Sequence, residues 1–184
     1  MKTDRERWDE RHRVERARPA RAPDGFVVEV LHALGPGAGR RALDLACGTG
    51  RHALLLAQLG WATEAWDVSP VALEVLAERA RASGLGVETR AVDLCDRWPE
   101  LDPPDLLVVV DFLDRALYAA LPSRVRPGGS VVLATFTEDW PEAHPSPRFR
   151  LKNGELSAGV PGLRTLGSVE SGGRAGLWAR REDS

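Results

Sequence analysis

Between residues 41 and 136 short apolar stretches alternate with helical ones, and this alternation limits the fold more than any other feature of the chain. Residues 41–46 (RALDLA) read as a strand that runs into Gly48-Thr49-Gly50, and residues 51–59 (RHALLLAQL) as an apolar helix stopped by Gly60. Residues 62–66 (ATEAW) read as a second strand ending at Asp67. Ser69 is then a good N-cap and Pro70 suits the first helical position, so VALEVLAERARA continues as a helix closed by Gly84 and Gly86. Residues 87–92 are a third strand ending at Asp93, and residues 105–110 (DLLVVV) a fourth ending at Asp111. A helix at about 114–121 and the turn Arg126-Pro127-Gly128-Gly129 lead to a fifth strand, 130–136. Strands and helices at this spacing imply βαβ units and a parallel sheet, with the uniformly apolar 105–110 buried on both faces. The tail differs. Residues 163–169 and 175–180 form two strands around Glu170-Ser171-Gly172-Gly173-Arg174, a hairpin. The expected fold is therefore α/β, doubly wound and Rossmann-like, with a seven-stranded, mostly parallel sheet and a C-terminal antiparallel hairpin. Upstream, residues 1–18 read as a charged helix broken by Pro19, Pro23, Asp24 and Gly25, and residues 26–34 as an apolar helix ended by Gly35-Pro36-Gly37.

Composition removes several function classes. A length of 184 residues suits one domain. A formal net charge of −2 argues against a nucleic-acid binder. The first 21 residues hold eight Lys or Arg against five Asp or Glu, which reads as a solvated amphipathic helix or as a patch for an anionic substrate. Cys47 and Cys95 lie in no CxxC or Cys/His cluster, so no metal centre and no disulfide framework are expected. No apolar run approaches the ~18 residues of a membrane span. The N-terminus is charged and has no apolar core of the secretory type, which makes the cytoplasm the expected compartment.

The chemistry is concentrated in Leu43-Asp44-Leu45-Ala46-Cys47-Gly48-Thr49-Gly50. A strand that ends in a glycine turn and opens a helix lets backbone approach a ligand and presents unpaired N–H groups to it. Residues 48–53 also fit the dinucleotide form G-x-G-x-x-A, so a nicotinamide enzyme has to be weighed. Asp67, 23 residues after Asp44, suits a ribose in either case. Asp44 separates the two readings, because a dinucleotide fold wants an apolar residue inside the first strand. Asp93 separates them too, standing where it can accept from an adenine amino group. With Asp111, four acids point from the strands' carboxyl ends into one crevice, where open α/β sheets bind ligands. That acidity repels a pyrophosphate and suits a sulfonium and an amino group.

These segments resemble the class I S-adenosylmethionine-dependent methyltransferases. DLACGTGRHA is similar to their first motif, AWDVSP to the second, AVDL to the third, DLLVVVD to the fourth and RPGGSVVLATF to the fifth-strand region, in order over residues 41–136. Trp8-Asp9-Glu10-Arg11-His12 and the stretch Pro147–Leu156 resemble, more narrowly, the small tellurite-resistance and thiopurine-type bacterial branch, with His12 in place of the usual Tyr. The resemblance implies the methyltransferase fold and S-adenosylmethionine as cofactor. Asp44 and the backbone of Ala46, Cys47, Gly48, Thr49 and Gly50 would hold its methionine end, and Asp67, Val68 and Ser69 its ribose side. Asp93 and Leu94 would bracket the adenine, and Asp111, Phe112 and Leu113 would line the pocket near the methyl group. Trp8 and Arg11 would fold over the cofactor. Arg115, His144 and Arg148 are candidates for acceptor contact; no catalytic residue and no metal are assigned, and Cys47 reads as a small buried residue. The chain divides, as expected, into a helical cap (1–25), a cofactor-binding core (26–136) and a lid loop with the hairpin (137–184), all one domain. The expected acceptor is a small molecule, a thiol or a chalcogen oxyanion among the options, in a monomer or homodimer. The alternatives are a nucleic-acid or protein methyltransferase and a non-catalytic S-adenosylmethionine-binding protein.

Overall fold

The computed structural model describes residues 3–96 and 98–182. Helices α1 (Asp4–Glu15) and α2 (Gly25–Leu34) precede the alternating region. There follow β1 (Arg41–Leu45), α3 (Arg51–Gln58), β2 (Ala62–Asp67), α4 (Pro70–Ala82), β3 (Val87–Ala91) and β4 (Leu106–Val110). Then come α5 (Arg115–Arg124), β5 (Ser130–Phe136), β6 (Arg164–Ser171) and β7 (Arg174–Arg180). The seven strands form one sheet in the order β3-β2-β1-β4-β5-β7-β6. Pairings among β1 to β5 are parallel, and β7 runs antiparallel to both β5 and β6. The α/β expectation and the hairpin expectation both hold in this sheet.

Strand alternation sorts the core into two layers. Leu43, Leu45, Leu107, Val109, Val131 and Leu133 share one cluster with Leu117, Tyr118 and Leu121 of α5. Ala42, Leu106, Val108, Val110 and Val132 pack with Val27, Val30 and Leu31 of α2 and with Leu56 of α3. Asp44 has the parity of Ala42, so its carboxyl is sent to the face of the sheet covered by α2 and α3.

Two details differ from the sequence expectation. Helix α5 runs through Pro122 to Arg124 instead of stopping at 121. One missing N–H near a helix end is tolerable when Leu121 and Val125 are both fully buried. The hairpin turn is tighter than expected, since Ser171 pairs with Arg174. Gly172 and Gly173 take φ of 57° and 75°, the double positive φ that matches strand twist in a two-residue turn. The β3–β4 and β5–β6 connections carry no α-helix; the second holds only a 3₁₀ turn at Pro147–Phe149. No helix among the described residues is long and apolar enough to cross a membrane.

The turn after β1 has a first consequence for stability. Gly50 opens α3 at φ 85°, and a Cβ there would lie 2.1 Å from Leu76 Cδ1 on α4. Gly50→Ala is expected to cost about 2–4 kcal/mol, combining left-handed strain with overpacking. Urea unfolding checks this, and an unchanged midpoint would contradict the close packing of Gly50 on Leu76.

Candidate functional site

Ala46, Gly48 and Gly50 all have positive φ (53°, 54° and 85°), so the chain coils tightly between β1 and α3. Asp44 lies beneath this coil and is 1 % exposed. Its Oδ2 is buried with no hydrogen-bond partner, while the carboxyl accepts the Ala53 N–H. Burial raises its pKa from 3.8 to about 7 against the opposing pull of that hydrogen bond and of the Arg51 charge. Cys47 is buried beside it, and burial holds its thiol well above the ordinary range, in the protonated form. Thr49 contributes a carbonyl that accepts from Arg79 at 3.3 Å.

Asp67 ends β2 directly across from the coil. Its Oδ2 accepts the Gly48 N–H at 2.8 Å and its Oδ1 the Ser69 N–H at 2.9 Å. Burial raises the Asp67 pKa and these two donors lower it. Ser69 is buried as the N-cap of α4, accepting from Ala72 N–H, and its hydroxyl donates to Asp9 of α1. Val68 between them is half-buried. A second α1 residue, His12, is buried with Cε1 3.6 Å from where a Gly48 Cβ would stand. Its Nδ1 lies 3.1 Å from Glu15.

Trp8 and Arg11 stand outside this layer. Trp8 is 40 % exposed and stacks on His12 at 5.7 Å between ring centroids, and the Arg11 guanidinium lies 5.2 Å over Trp8 and reaches Glu15. Asp93 is exposed, and its carboxylate accepts Cys95 N–H at 3.0 Å. Leu94 is buried, and Trp98 donates to its carbonyl. Asp93 also borders a surface groove lined by Arg90, Asp96, Trp98 and Glu100.

At the end of β4, Asp111 has φ 58° and sits between two guanidiniums, Arg51 at 2.7 Å and Arg174 at 2.7 Å. Arg174 also reaches the Asp24 carboxylate at 2.8 Å and lies 4.5 Å over the Phe136 ring. Asp24 N–H donates to His52 Nε2, and burial holds the His52 pKa down at about 3, so the imidazole is the neutral acceptor. Phe112 and Leu113 lean on the α5 side of the core, and Phe112 O accepts from Tyr118. Arg115 is engaged by both oxygens of Glu155. His144 is exposed, its carbonyl accepting from Trp140, and Arg148 is exposed with its guanidinium 4.5 Å over Phe149.

The structure thus gathers Asp44, the 46–50 turn, Asp67 and Ser69 in one place. Asp111 stands with Arg51, while His144 and Arg148 lie on the outer loop. Sequence reasoning assigned no site role to Asp9, His12, Asp24, Arg51, His52 or Arg174. For His12 a signal existed, because Trp8 and His12 are at i,i+4 on one helix face. The Arg174–Asp24 pair, 150 residues apart, has no local signature.

Residues 42–129 match a family model described as a methyltransferase domain. Over 115 residues the chain is 37% identical to a protein-L-isoaspartate O-methyltransferase of Anaeromyxobacter dehalogenans, covering 59% of this chain and 53% of that protein. Over 119 residues it is 34% identical to a ubiquinone biosynthesis O-methyltransferase of Methylocella silvestris, covering 60% and 46%. The chain therefore spans about half the length of these curated relatives. Among solved structures it is similar to TehB from Haemophilus influenzae, with a TM-score of 0.74 at 22% identity, covering 91% of this chain and 65% of that one. That likeness concerns the fold, and the sequence match to the methyltransferase-domain model covers residues 42–129, a little under half of the chain.

Proposed function

We propose that the chain binds S-adenosylmethionine in the crevice above β1 and β2 and transfers its methyl group to a small-molecule acceptor. The observation that carries this reading is the buried, unpartnered Oδ2 of Asp44 beneath the 46–50 turn. An orphaned carboxyl oxygen in the interior is costly, and a cationic or N–H-bearing ligand removes the cost. The residues fit that cofactor. Asp44 and the turn from Ala46 to Gly50 would serve its methionine end. Asp67, with Val68 and Ser69 beside it, would exchange its present backbone donors for ribose hydroxyls. Asp93 and Leu94 would flank the adenine, and Asp111, Phe112 and Leu113 the methyl end. When bound, S-adenosylmethionine supplies a methyl group on a sulfonium, already a good electrophile.

What the chain adds is alignment and exclusion of water. Arg51 and Arg174 hold the Asp111 carboxylate from two sides, so the wall beside the methyl end is rigid and nearly charge-balanced. Phe136 and Trp140, edge to face at 4.8 Å, give that wall an apolar part. A soft nucleophile such as a thiolate is already deprotonated and needs no fixed base. The curated relatives are named for unlike acceptors, so the small-molecule reading rests on this chain. Its net charge is −2, and Arg7 and Arg11 of α1 and Arg16 just after it are paired with acids, which lessens their pull on a polyanion.

Calorimetry is expected to show S-adenosylhomocysteine binding and no NAD binding. Release of S-adenosylhomocysteine is then expected with one or more members of a panel of thiols and oxyanions, and none with RNA. Tight NAD binding without S-adenosyl binding would remove the cofactor reading, and turnover on RNA alone would remove the acceptor reading.

A further inference from the structure

The two flanks of the crevice are anchored in unlike ways. The loop after β5 is tied down from within. The Arg150 guanidinium donates to the carbonyls of Trp140, Pro145 and Glu142. Leu151 bridges to Thr137 alongside β5, and Leu151 and Leu156 are both buried. The Glu170 carboxylate of β6 accepts the Gly154 N–H at 3.0 Å. Such a loop is a wall.

Helix α1 on the other flank has one buried side chain, His12. Polar contacts dominate the rest of its docking. Asp9 accepts from the Ser69 hydroxyl, and Arg16 pairs with Glu74 and Glu78 on the exposed face of α4. Arg79 holds the Arg18 carbonyl at 3.2 Å, and Arg51 holds the Ala22 carbonyl at 3.1 Å. Between those two anchors residues 19–21 are exposed and begin with a proline. Past them Asp24 is locked by His52 and Arg174. The helix therefore rests on α4 beside the 46–50 turn with little apolar seal and has a natural pivot behind it.

We propose that α1 is a gate for cofactor exchange, pivoting at residues 19–21 and latched by Asp9 on Ser69. The latch sits on the residue whose N–H holds Asp67, so docking of α1 also sets the carboxylate expected to meet the ribose. Asp9 is in this sense a positioning residue, acting through Ser69. The proposal rests on the S-adenosyl reading above.

Stopped-flow Trp fluorescence with S-adenosylhomocysteine in excess tests it, Trp8 on His12 being the natural reporter. The observed rate should level off as ligand concentration rises, the plateau being the rate of opening. Asp9→Asn should raise the plateau about tenfold, the weight of a hydrogen bond to a charged group. Arg16→Ala should raise it about threefold, as an exposed ion pair allows, and added salt should raise it in the parent more than in that variant. Arg164→Ala, which breaks a distant surface pair with Glu182, should leave it unchanged. A rate that climbs linearly without a plateau, or a plateau equal in parent, Asp9→Asn and Arg16→Ala, would overturn the gate while leaving cofactor binding intact. Absence of any binding, by calorimetry as well, would overturn the cofactor reading and the gate with it.

Discussion

Asp44→Asn is expected to make the protein more stable at pH 8 and nearly unable to hold its cofactor. In the folded chain burial raises the Asp44 pKa to about 7, against 3.8 for a free carboxyl. The folded state therefore keeps a proton that the unfolded chain gives up. Its stabilising contribution is complete below about pH 4 and is lost as pH rises through about 7. At pH 8 the parent bears an ionised, partly unpaired carboxylate in its interior, and the difference amounts to at most ~4 kcal/mol at 1.36 kcal/mol per pKa unit. An amide has nearly the same shape and no charge to bury. Urea unfolding at pH 5 and pH 8 should show the parent losing stability between the two and the variant losing much less. Parallel pH profiles would mean that Asp44 is already ionised in the folded state at pH 5, its pKa not raised by burial. The same experiment with S-adenosylhomocysteine should stabilise the parent and leave the variant unmoved.

Asp67→Ala is expected to weaken S-adenosylhomocysteine binding by about 1.5–3 kcal/mol, a factor of roughly 10–150 in Kd. The carboxylate accepts two backbone N–H groups, from Gly48 and Ser69, and joins the turn after β1 to the cap of α4. Alanine removes the acceptor and unties those two segments. Calorimetry reads the affinity, and circular dichroism checks that the fold survives. Binding as tight as in the parent would show that the ribose does not meet Asp67.

The sequence made the framework readable because its signals are local. Asp44, Gly48, Gly50, Asp67, Ser69 and Pro70 each follow from a strand end, a tight turn or a cap, which depend on a few neighbouring residues. The charged ring around Asp111 could not be read that way. Arg51 is adjacent to the glycine turn, yet nothing along the chain says that it meets a strand end 60 residues on, or that Arg174 of the hairpin completes the pair. Side-chain pairing across a sheet is set by register and strand order, which exist only after folding. The helix α1 was legible as a charged helix, but its placement was not. Its docking depends on Asp9 and His12, ordinary residues in a run of charges. Pro122 shows the opposite failure, a valid local stop signal overridden by the burial of Leu121 and Val125.

The connection between β5 and β6 is where such a chain can change its chemistry over time. It leaves the sheet at Phe136, closes on itself through Arg150, and returns at Arg164 without adding a strand. Its length is thus independent of the pairing of β5, β6 and β7. Insertions at exposed 143–144, between the Glu142 and Pro145 carbonyls that Arg150 holds and clear of Trp140 on the β6–β7 turn, would redraw the wall proposed to face the acceptor without shifting any residue of the sheet. Selection for a new acceptor can act on that module while Asp44, Asp67 and their turn stay as they are. A loop library confined to those positions should therefore yield variants that keep the parent's thermal stability and cofactor affinity while differing in which acceptors they turn over.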